Sequence, residues 1–354
     1  MKIAVLSSFP PKKCGIAHLN RNLFDALRAQ GHELVTFGMD DSESQYPIDN
    51  RSFFGLQKTA AIIKRENIRH VSMQFIINFY GKRFLGLNVL LFLWTLRDRR
   101  VIVTLHELHH IRSISQVFRK PRDLYHLFLE VLIARFATGV ILHSDAQVAD
   151  IRKYGVRNAR RVYLGIETRD VPRTRTAPAE LKRALFFGKL AHFKGAHLFP
   201  AIARACPDIH FVVAGSTGSG GEAYTAELRR LFTGVPNIEF VFKDWFGDAE
   251  KEALYRDADV LVLPYIDTFY QSGVVSEAGV YNIPVVVPRL GPLAETVDAF
   301  GIGEGVAAAD PTLIAAAIRT ILGNYPVYLE GIKRYRAAAN WNEAAAGYAR
   351  FLQG

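Results

Sequence analysis

Cysteine is nearly absent from the 354 residues; Cys14 and Cys206 are the only two. Two thiols so far apart exclude a disulfide framework and a cysteine-based zinc site, and they point to a reduced, cytoplasmic setting. No stretch reaches the roughly 18–20 uninterrupted apolar residues of a membrane span. The opening MKIAVLSSFPP has too short an apolar run for a signal peptide and is closed at once by Pro10-Pro11, so a first strand is expected there. A GxGxxG is missing, and with it the dinucleotide fingerprint. Repeats and low-complexity segments are missing too. So is any RNA- or DNA-binding motif, which leaves a nucleic-acid role resting on charge alone. Acid is scarce in one half only. Residues 1–175 hold 28 Lys and Arg against 15 Asp and Glu, while residues 176–354 hold 16 against 19, and the chain carries +10. A basic half beside a slightly acidic one suggests two domains with different partners. The basic half suits an anionic membrane surface, a nucleic acid or an anionic substrate.

What is present is an ordinary globular composition, 49% hydrophobic and 22% charged, in a chain long enough for two domains. Strand and helix patterns alternate. Lys2–Ser7 reads as a strand. A helix from near Ile16 carries Leu19, Leu23, Phe24 and Leu27 on one face and stops at Gly31; strand Glu33–Phe37 follows. Further strands are expected at Val71–Phe75, Val101–Leu105, Gly139–His143 and Arg160–Leu164. Helices are expected at Lys58–Glu66, Leu124–Phe136 and Ser144–Tyr154, with a buried helix within Phe79–Arg100. The aperiodic TRDVPRTRTAP sets a domain boundary near 168–180. Beyond it the same grammar returns. Strands are expected at Ala184–Phe187, Ile209–Ala214, Ile238–Phe242, Val260–Leu263 and Val285–Val287, the last two closed by Pro264 and Pro288 as buried parallel strands are. Helices are expected at Tyr224–Phe232, Asp248–Asp257, Val274–Tyr281, near Ala294–Val297 and at Pro311–Leu322. The fold class implied is α/β: two doubly wound, Rossmann-like domains facing across a cleft, with ligands at the C-terminal ends of the strands.

The segment DVLVLPYIDTFYQSGVVSEAGVYNIPVVVP, residues 259–288, organises the second half. Its strand, polar glycine turn and helix start offer backbone N–H groups to an anion. Glu277 sits one helical turn in; it either caps the helix electrostatically or faces a ligand. In the first half a strand ends in HELHH, residues 106–110. This is not the HExxH pattern, so metal binding is disfavoured against a single acid/base or phosphate-contacting histidine. The one DxD, Asp257-Ala258-Asp259, falls at a helix-to-strand corner and reads as structural, so no metal is expected.

These motifs resemble the retaining glycosyltransferases of family 4, which have the GT-B fold. GKLAHFKG, residues 188–195, is similar to that family's G-R-L-x-x-x-K-G, whose two cations clamp the donor diphosphate; Lys189 replaces the usual Arg and loses its bidentate fork. Val213-Ala214-Gly215 resembles the strand-to-loop step, and ALYRDADVLVLP, residues 253–264, the usual L-Y-x-x-A-D-V-x-V-x-P. Glu277 stands at the second Glu of E-x7-E, which holds the ribose hydroxyls in the family, while Phe269 replaces the first, which touches the transferred sugar. Gln271-Ser272-Gly273-Val274 resembles a turn that faces the diphosphate, and Asp244-Trp245-Phe246 falls where a loop flanks the base. Leu290-Gly291 with Glu295 resembles G-G-x-x-E. In the first half PPKKCGIA, with Gly15, looks like the glycine loop, Thr104-Leu105-His106 like T-x-H, and Gly165-Ile166-Glu167 like N-G-I-D. The tail from Asn340-Trp341 is similar to a helix that crosses back onto the first domain.

The resemblance implies an acceptor-binding domain at 1–170 joined by a helix at about 338–354, and a nucleotide-sugar-binding domain at 180–337. It implies a retaining, metal-independent hexosyltransferase without cofactor. The donor is a UDP- or GDP-linked sugar, and the acceptor a carbohydrate or lipid-linked one in polysaccharide or glycoconjugate assembly. Lys189, Lys194 and His106 are the expected catalytic residues. Gly15, Gly188, Gly215, Asp244, Trp245, Phe246, Gln271, Ser272, Gly273, Val274 and Glu277 are the expected donor contacts. The bases Arg97, Arg99, Arg100, Arg112, Arg119, Lys120 and Arg122 suit peripheral docking on the inner membrane face. The alternatives are a sugar-nucleotide epimerase of the same architecture and a catalytically silent nucleotide-sugar-binding homologue, the latter raised by Phe269.

Overall fold

The structure is a computed structural model that describes residues 1–12, 15–39, 42–80, 84, 86–109, 121–167, 178–217, 221–267 and 273–354. The chain divides into two compact units: Met1–Glu167 with Ala339–Gly354, and Thr168–Thr268 with Ser272–Ala338. Each is a parallel sheet with helical connections.

The first unit has strands β1 (Lys2–Ser7), β2 (Glu33–Met39), β3 (Tyr46–Ile48), β4 (His70–Phe75), β5 (Arg100–Leu105), β6 (Gly139–Leu142) and β7 (Ala159–Arg161), in the order β3-β2-β1-β4-β5-β6-β7. The registers Ile3↔Leu34, Ile3↔His70 and Val71↔Val101 are parallel. The chain therefore winds outward from β1 in one direction and returns through β4 in the other. That reversal opens a crevice at the C-terminal ends of β1 and β4. Ile3, Val5, Leu23, Phe24 and Leu27 form a core with Ala345, Tyr348, Phe351 and Leu352 from the last helix, Trp341–Gln353. Each large side chain buried there stabilises by about 1.5–3 kcal/mol. Gly165 permits the tail's approach, because a Cβ there would lie 2.2 Å from the Trp341 ring.

The second unit has β8 (Arg183–Lys189), β9 (His210–Ser216), β10 (Ile238–Phe242), β11 (Val260–Val262), β12 (Val285–Pro288) and β13 (Gly303–Val306), ordered β10-β9-β8-β11-β12-β13, again parallel. Its reversal lies between β8 and β11. Asp259, fully buried, accepts from the backbone N–H groups of Ala179 and Arg183 and so fixes the start of β8. That is the structural role read from the DxD.

The structure differs from the sequence reading in five places. Phe79–Arg100 holds no single buried helix. Helices Ile77–Tyr80 and Leu87–Thr95 are separated by a left-handed Gly86 (φ 71°), and Leu87 and Trp94 are 56% and 55% exposed. The apolar content was legible, but not which residues the sheet would cover. Strand β3 contains Pro47 and strand β13 two glycines, and neither has the β-branched run that marks a strand. The helix Tyr325–Ala338 was missed although Tyr325, Tyr328, Ile332 and Tyr335 are buried at helical spacing. Arg100 is no free surface cation; its Nε and Nη2 donate to the Phe351 carbonyl at 3.1 and 2.9 Å and tie down the last helix.

Candidate functional site

The crevice of the second unit is built from the loops that leave β8 and β11. Strand β8 ends at Lys189, and the Leu190 N–H then donates to the Ser216 carbonyl at 2.7 Å. A short 3₁₀ turn, His192–Lys194, follows and ends at Gly195 in the left-handed region (φ +73°). Glycine is required there, since a Cβ would lie 1.9 Å from the Pro264 carbonyl oxygen. The Ile266 N–H donates to the Phe193 carbonyl at 2.8 Å, so the two loops are tied to one another. Lys194 is 7% exposed, with its Nζ 3.6 Å from the centroid of the Tyr265 ring. Burial, and then repulsion from Lys189, push its ammonium down to about 7. Two cations held close at a strand-end crevice make a site that gains charge balance when an anion arrives.

The strands approach closely beside these lysines. A Cβ on Gly215 would lie 2.0 Å from the Gly188 carbonyl oxygen, and a Cβ on Gly188 would lie 3.8 Å from Val274 Cγ2. Gly215 thus lets β8 and β9 converge, and Gly188 lies beside the start of the helix Gly273–Tyr281. Gly273 is exposed at that start. Glu277 is the fifth residue of the helix, beyond its first turn, which removes the capping reading. Its Oε1 accepts from Lys251 Nζ of the helix Asp248–Asp257 at 2.6 Å. The loop after β10 leaves Asp244 and Trp245 exposed, Trp245 at 57%, while Phe246 packs edge-on against Phe187 at 5.3 Å. A cavity of about 350 Å³ lies between the sheet and the helix Asp248–Asp257, lined by Arg183, Leu185, Val212, Phe246 and Leu254. Lys189, Lys194 and Glu277 do not line it, so it is not the site formed by the lysines.

In the first unit His106 follows β5 and is buried. Gln74 Nε2 donates to Ser72 Oγ (3.4 Å) and Thr104 Oγ1 (3.3 Å), so its Oε1 is left to accept from His106 Nε2 at 2.8 Å. That network assigns the Nε2–H tautomer, and burial with the nearby His143 holds the ring neutral, well below the usual histidine range. Tyr348 of the last helix closes the network at 3.0 Å from Thr104 Oγ1. Of the other histidines of HELHH, His109 Nδ1 donates to the buried Glu130 carboxylate at 2.6 Å, and His110 lies outside the described residues. Among the described residues no group of three or more His, Cys, Asp or Glu could hold a metal ion. Gly15 opens the helix Gly15–Ala29 and is exposed. Phe269, Gln271, Ser272, Arg112, Arg119 and Lys120 lie outside the described residues.

Lys189, Lys194, Gly188, Gly215 and Val274 therefore meet at one crevice. His106 and Gly15 belong to the other unit. Sequence reasoning missed Tyr265, Lys251 and Gln74. Tyr265 directly follows Pro264, at the strand end where ligand loops start, and that position was the available signal.

Residues 182–324 match the sequence profile of the glycosyl transferases group 1. No curated protein matches the chain. Among solved structures the chain is similar to HepE of Anabaena in complex with UDP and glucose, at 17% identity and a TM-score of 0.73, covering 100% of this chain and 99% of that one. It is similar to the sucrose-phosphate synthase of Thermosynechococcus elongatus at 19% identity and a TM-score of 0.72, covering 100% and 98%. It is also similar to the UDP-forming alpha,alpha-trehalose-phosphate synthase of Burkholderia xenovorans, at 13% identity and a TM-score of 0.69, covering 100% of both chains. These likenesses show the fold, which is GT-B, and the matched profile lies on the unit that holds Lys189, Lys194 and Glu277.

Proposed function

We propose, from a C-terminal unit that carries the glycosyl transferases group 1 profile, that this chain transfers a sugar from a UDP-linked donor to an acceptor hydroxyl with retention and without a metal. The observation that carries this reading is the pair Lys189 and Lys194 at the reversal between β8 and β11. As the bond from the anomeric carbon to the diphosphate breaks, negative charge develops on the leaving oxygens. Lys194, buried in the crevice, and Lys189, at its exposed edge, stabilise that charge. The acceptor oxygen bonds to the anomeric carbon on the face the diphosphate leaves, and its proton passes to the departing diphosphate. No protein nucleophile is assigned. Glu277, oriented by Lys251, receives the ribose hydroxyls, and Trp245 and Phe246 flank the base. The choice of UDP over GDP is supported by the UDP and UDP-glucose complexes of the similar HepE.

Thermal-shift measurements with UDP, GDP and ADP test this reading. A ligand that binds only the native state raises the melting temperature by linkage. A rise with UDP alone is expected, and no rise with any of the three overturns the donor assignment.

The acceptor is proposed to be lipid-linked and reached by docking on an anionic membrane. Leu87 and Trp94 on the helix Leu87–Thr95, and Leu124 and Phe128 on the helix Pro121–Phe136, are exposed apolar side chains. Arg97 lies 4.3 Å over the Trp94 ring. Apolar anchors beside a cation suit the interface of an acidic bilayer. No described helix is long and apolar enough to cross a membrane. The protein is expected to sediment with phosphatidylglycerol vesicles at low salt, and Trp94→Glu to reduce the bound fraction several-fold. Equal sedimentation of both proteins, or none by the wild type, removes the membrane proposal.

A further inference from the structure

Lys194 does not reach its position through its own backbone turn alone. Its ammonium nitrogen lies 3.6 Å from the centroid of Tyr265 and 5.6 Å from that of Phe193. Tyr265 is 1% exposed and sits on the loop that follows β11, directly after Pro264. Two contacts hold that loop to the lysine's own turn: the Ile266 N–H to the Phe193 carbonyl, and the close passage of Gly195 against the Pro264 carbonyl. The ring therefore cannot drift away from the ammonium without breaking the junction of the two loops. A cation over an aromatic face in a dehydrated setting is attracted by the ring quadrupole, more strongly than at the surface. The same setting, with Lys189 near, disfavours a charged ammonium. The ring face opposes that penalty.

We propose that Tyr265 is a positioning residue of the donor site, its ring face holding the Lys194 ammonium in place to receive the diphosphate of the donor. This rests on the donor reading above. Tyr265 does not touch the reacting atoms; it acts through Lys194. The face is what matters, so Tyr265→Phe retains the function and Tyr265→Leu removes it while keeping an apolar side chain.

The test is calorimetric titration of wild type, Tyr265→Phe and Tyr265→Leu with UDP between pH 6 and pH 9. Lys194 is charged below about 7 in the free protein, and the bound diphosphate keeps it charged to higher pH. UDP affinity therefore gains from this group at low pH and loses that gain as pH rises through about 7, by up to about tenfold per pH unit. The titration of UDP itself is common to all three proteins and cancels in the comparison. Tyr265→Leu is expected to weaken UDP binding by about 10- to 30-fold at neutral pH. It is also expected to shift the loss of affinity to lower pH, because the charged form has lost its ring. Tyr265→Phe should follow the wild type in both respects. A role confined to packing would instead open the crevice to water and move the loss to higher pH.

Should Tyr265→Leu not fold, spectra of ¹³C-lysine-labelled wild type still decide. An upfield-shifted Cε–H resonance, removed by Lys194→Arg, is expected from the ring current, and its absence overturns the inference. Wild type that binds no nucleoside diphosphate overturns the donor reading itself. Wild type that binds UDP while Tyr265→Leu matches it in affinity and pH profile overturns this inference alone.

Discussion

Lys194→Ala is expected to lower the release of UDP from the proposed UDP-linked donor by about 10²–10³-fold, with Lys189→Ala close behind, the range found when one preorganised donor to a developing oxyanion is removed. The magnitude follows from where the groups sit. Lys194 is buried and tied between two loops, so its charge acts through little water. Lys189 is exposed at the end of β8, where solvent screens it. Each removal relieves the repulsion between the two lysines, so the double variant should lose less than the product of the single losses. Circular dichroism should remain that of the wild type, because the Lys189 head is outside the core and alanine leaves the 3₁₀ turn intact. Turnover within a few-fold of wild type in both variants would remove the lysines from the chemistry.

Gly195→Ala is the second large effect, and it acts on the fold. The residue lies at φ +73°, where an L side chain costs about 1–2 kcal/mol. The new Cβ would also meet the Pro264 carbonyl oxygen at 1.9 Å. That contact is backbone against backbone, and no side chain can turn away to relieve it. Overpacking of this kind adds about 1–3 kcal/mol. A loss of stability of about 2–5 kcal/mol is therefore expected, together with weaker UDP binding, since the loop that moves is the one holding Lys194 against Tyr265. Gly234→Ala is a useful contrast. Gly234 has φ +77°, but a Cβ there meets nothing within 4 Å, so only the backbone strain applies. Equal losses for the two variants would show that the Gly195–Pro264 contact is unimportant.

The two α/β units were legible because buried parallel strands are short, β-branched runs, and VLV at 260–262 or VVVP at 285–288 carry that signal without help from context. The lysines of GKLAHFKG stood out through the resemblance of that segment to a glycosyltransferase motif. What was hidden is what tertiary contact decides. Tyr265 reads as one more aromatic after a strand until the loop of Phe193 brings Lys194 over its face. Glu277 reads as a cap or a ligand contact from the sequence, and nothing local shows its ion pair with Lys251, which comes from another helix. Gln74 lies within a strand, and only the alignment of β4 with β5 sets it against Thr104 and His106. Pairing across a sheet is a non-local property, and no local pattern reports it.

The most direct measurement is the thermal shift of the wild-type protein with UDP in the presence of EDTA. In the proposed donor site Lys189 and Lys194 take the place of a metal's positive charge, so that proposal predicts a rise in melting temperature that grows with UDP concentration and is unchanged by EDTA. No rise, or a rise that EDTA abolishes, would contradict a donor site built on these two lysines.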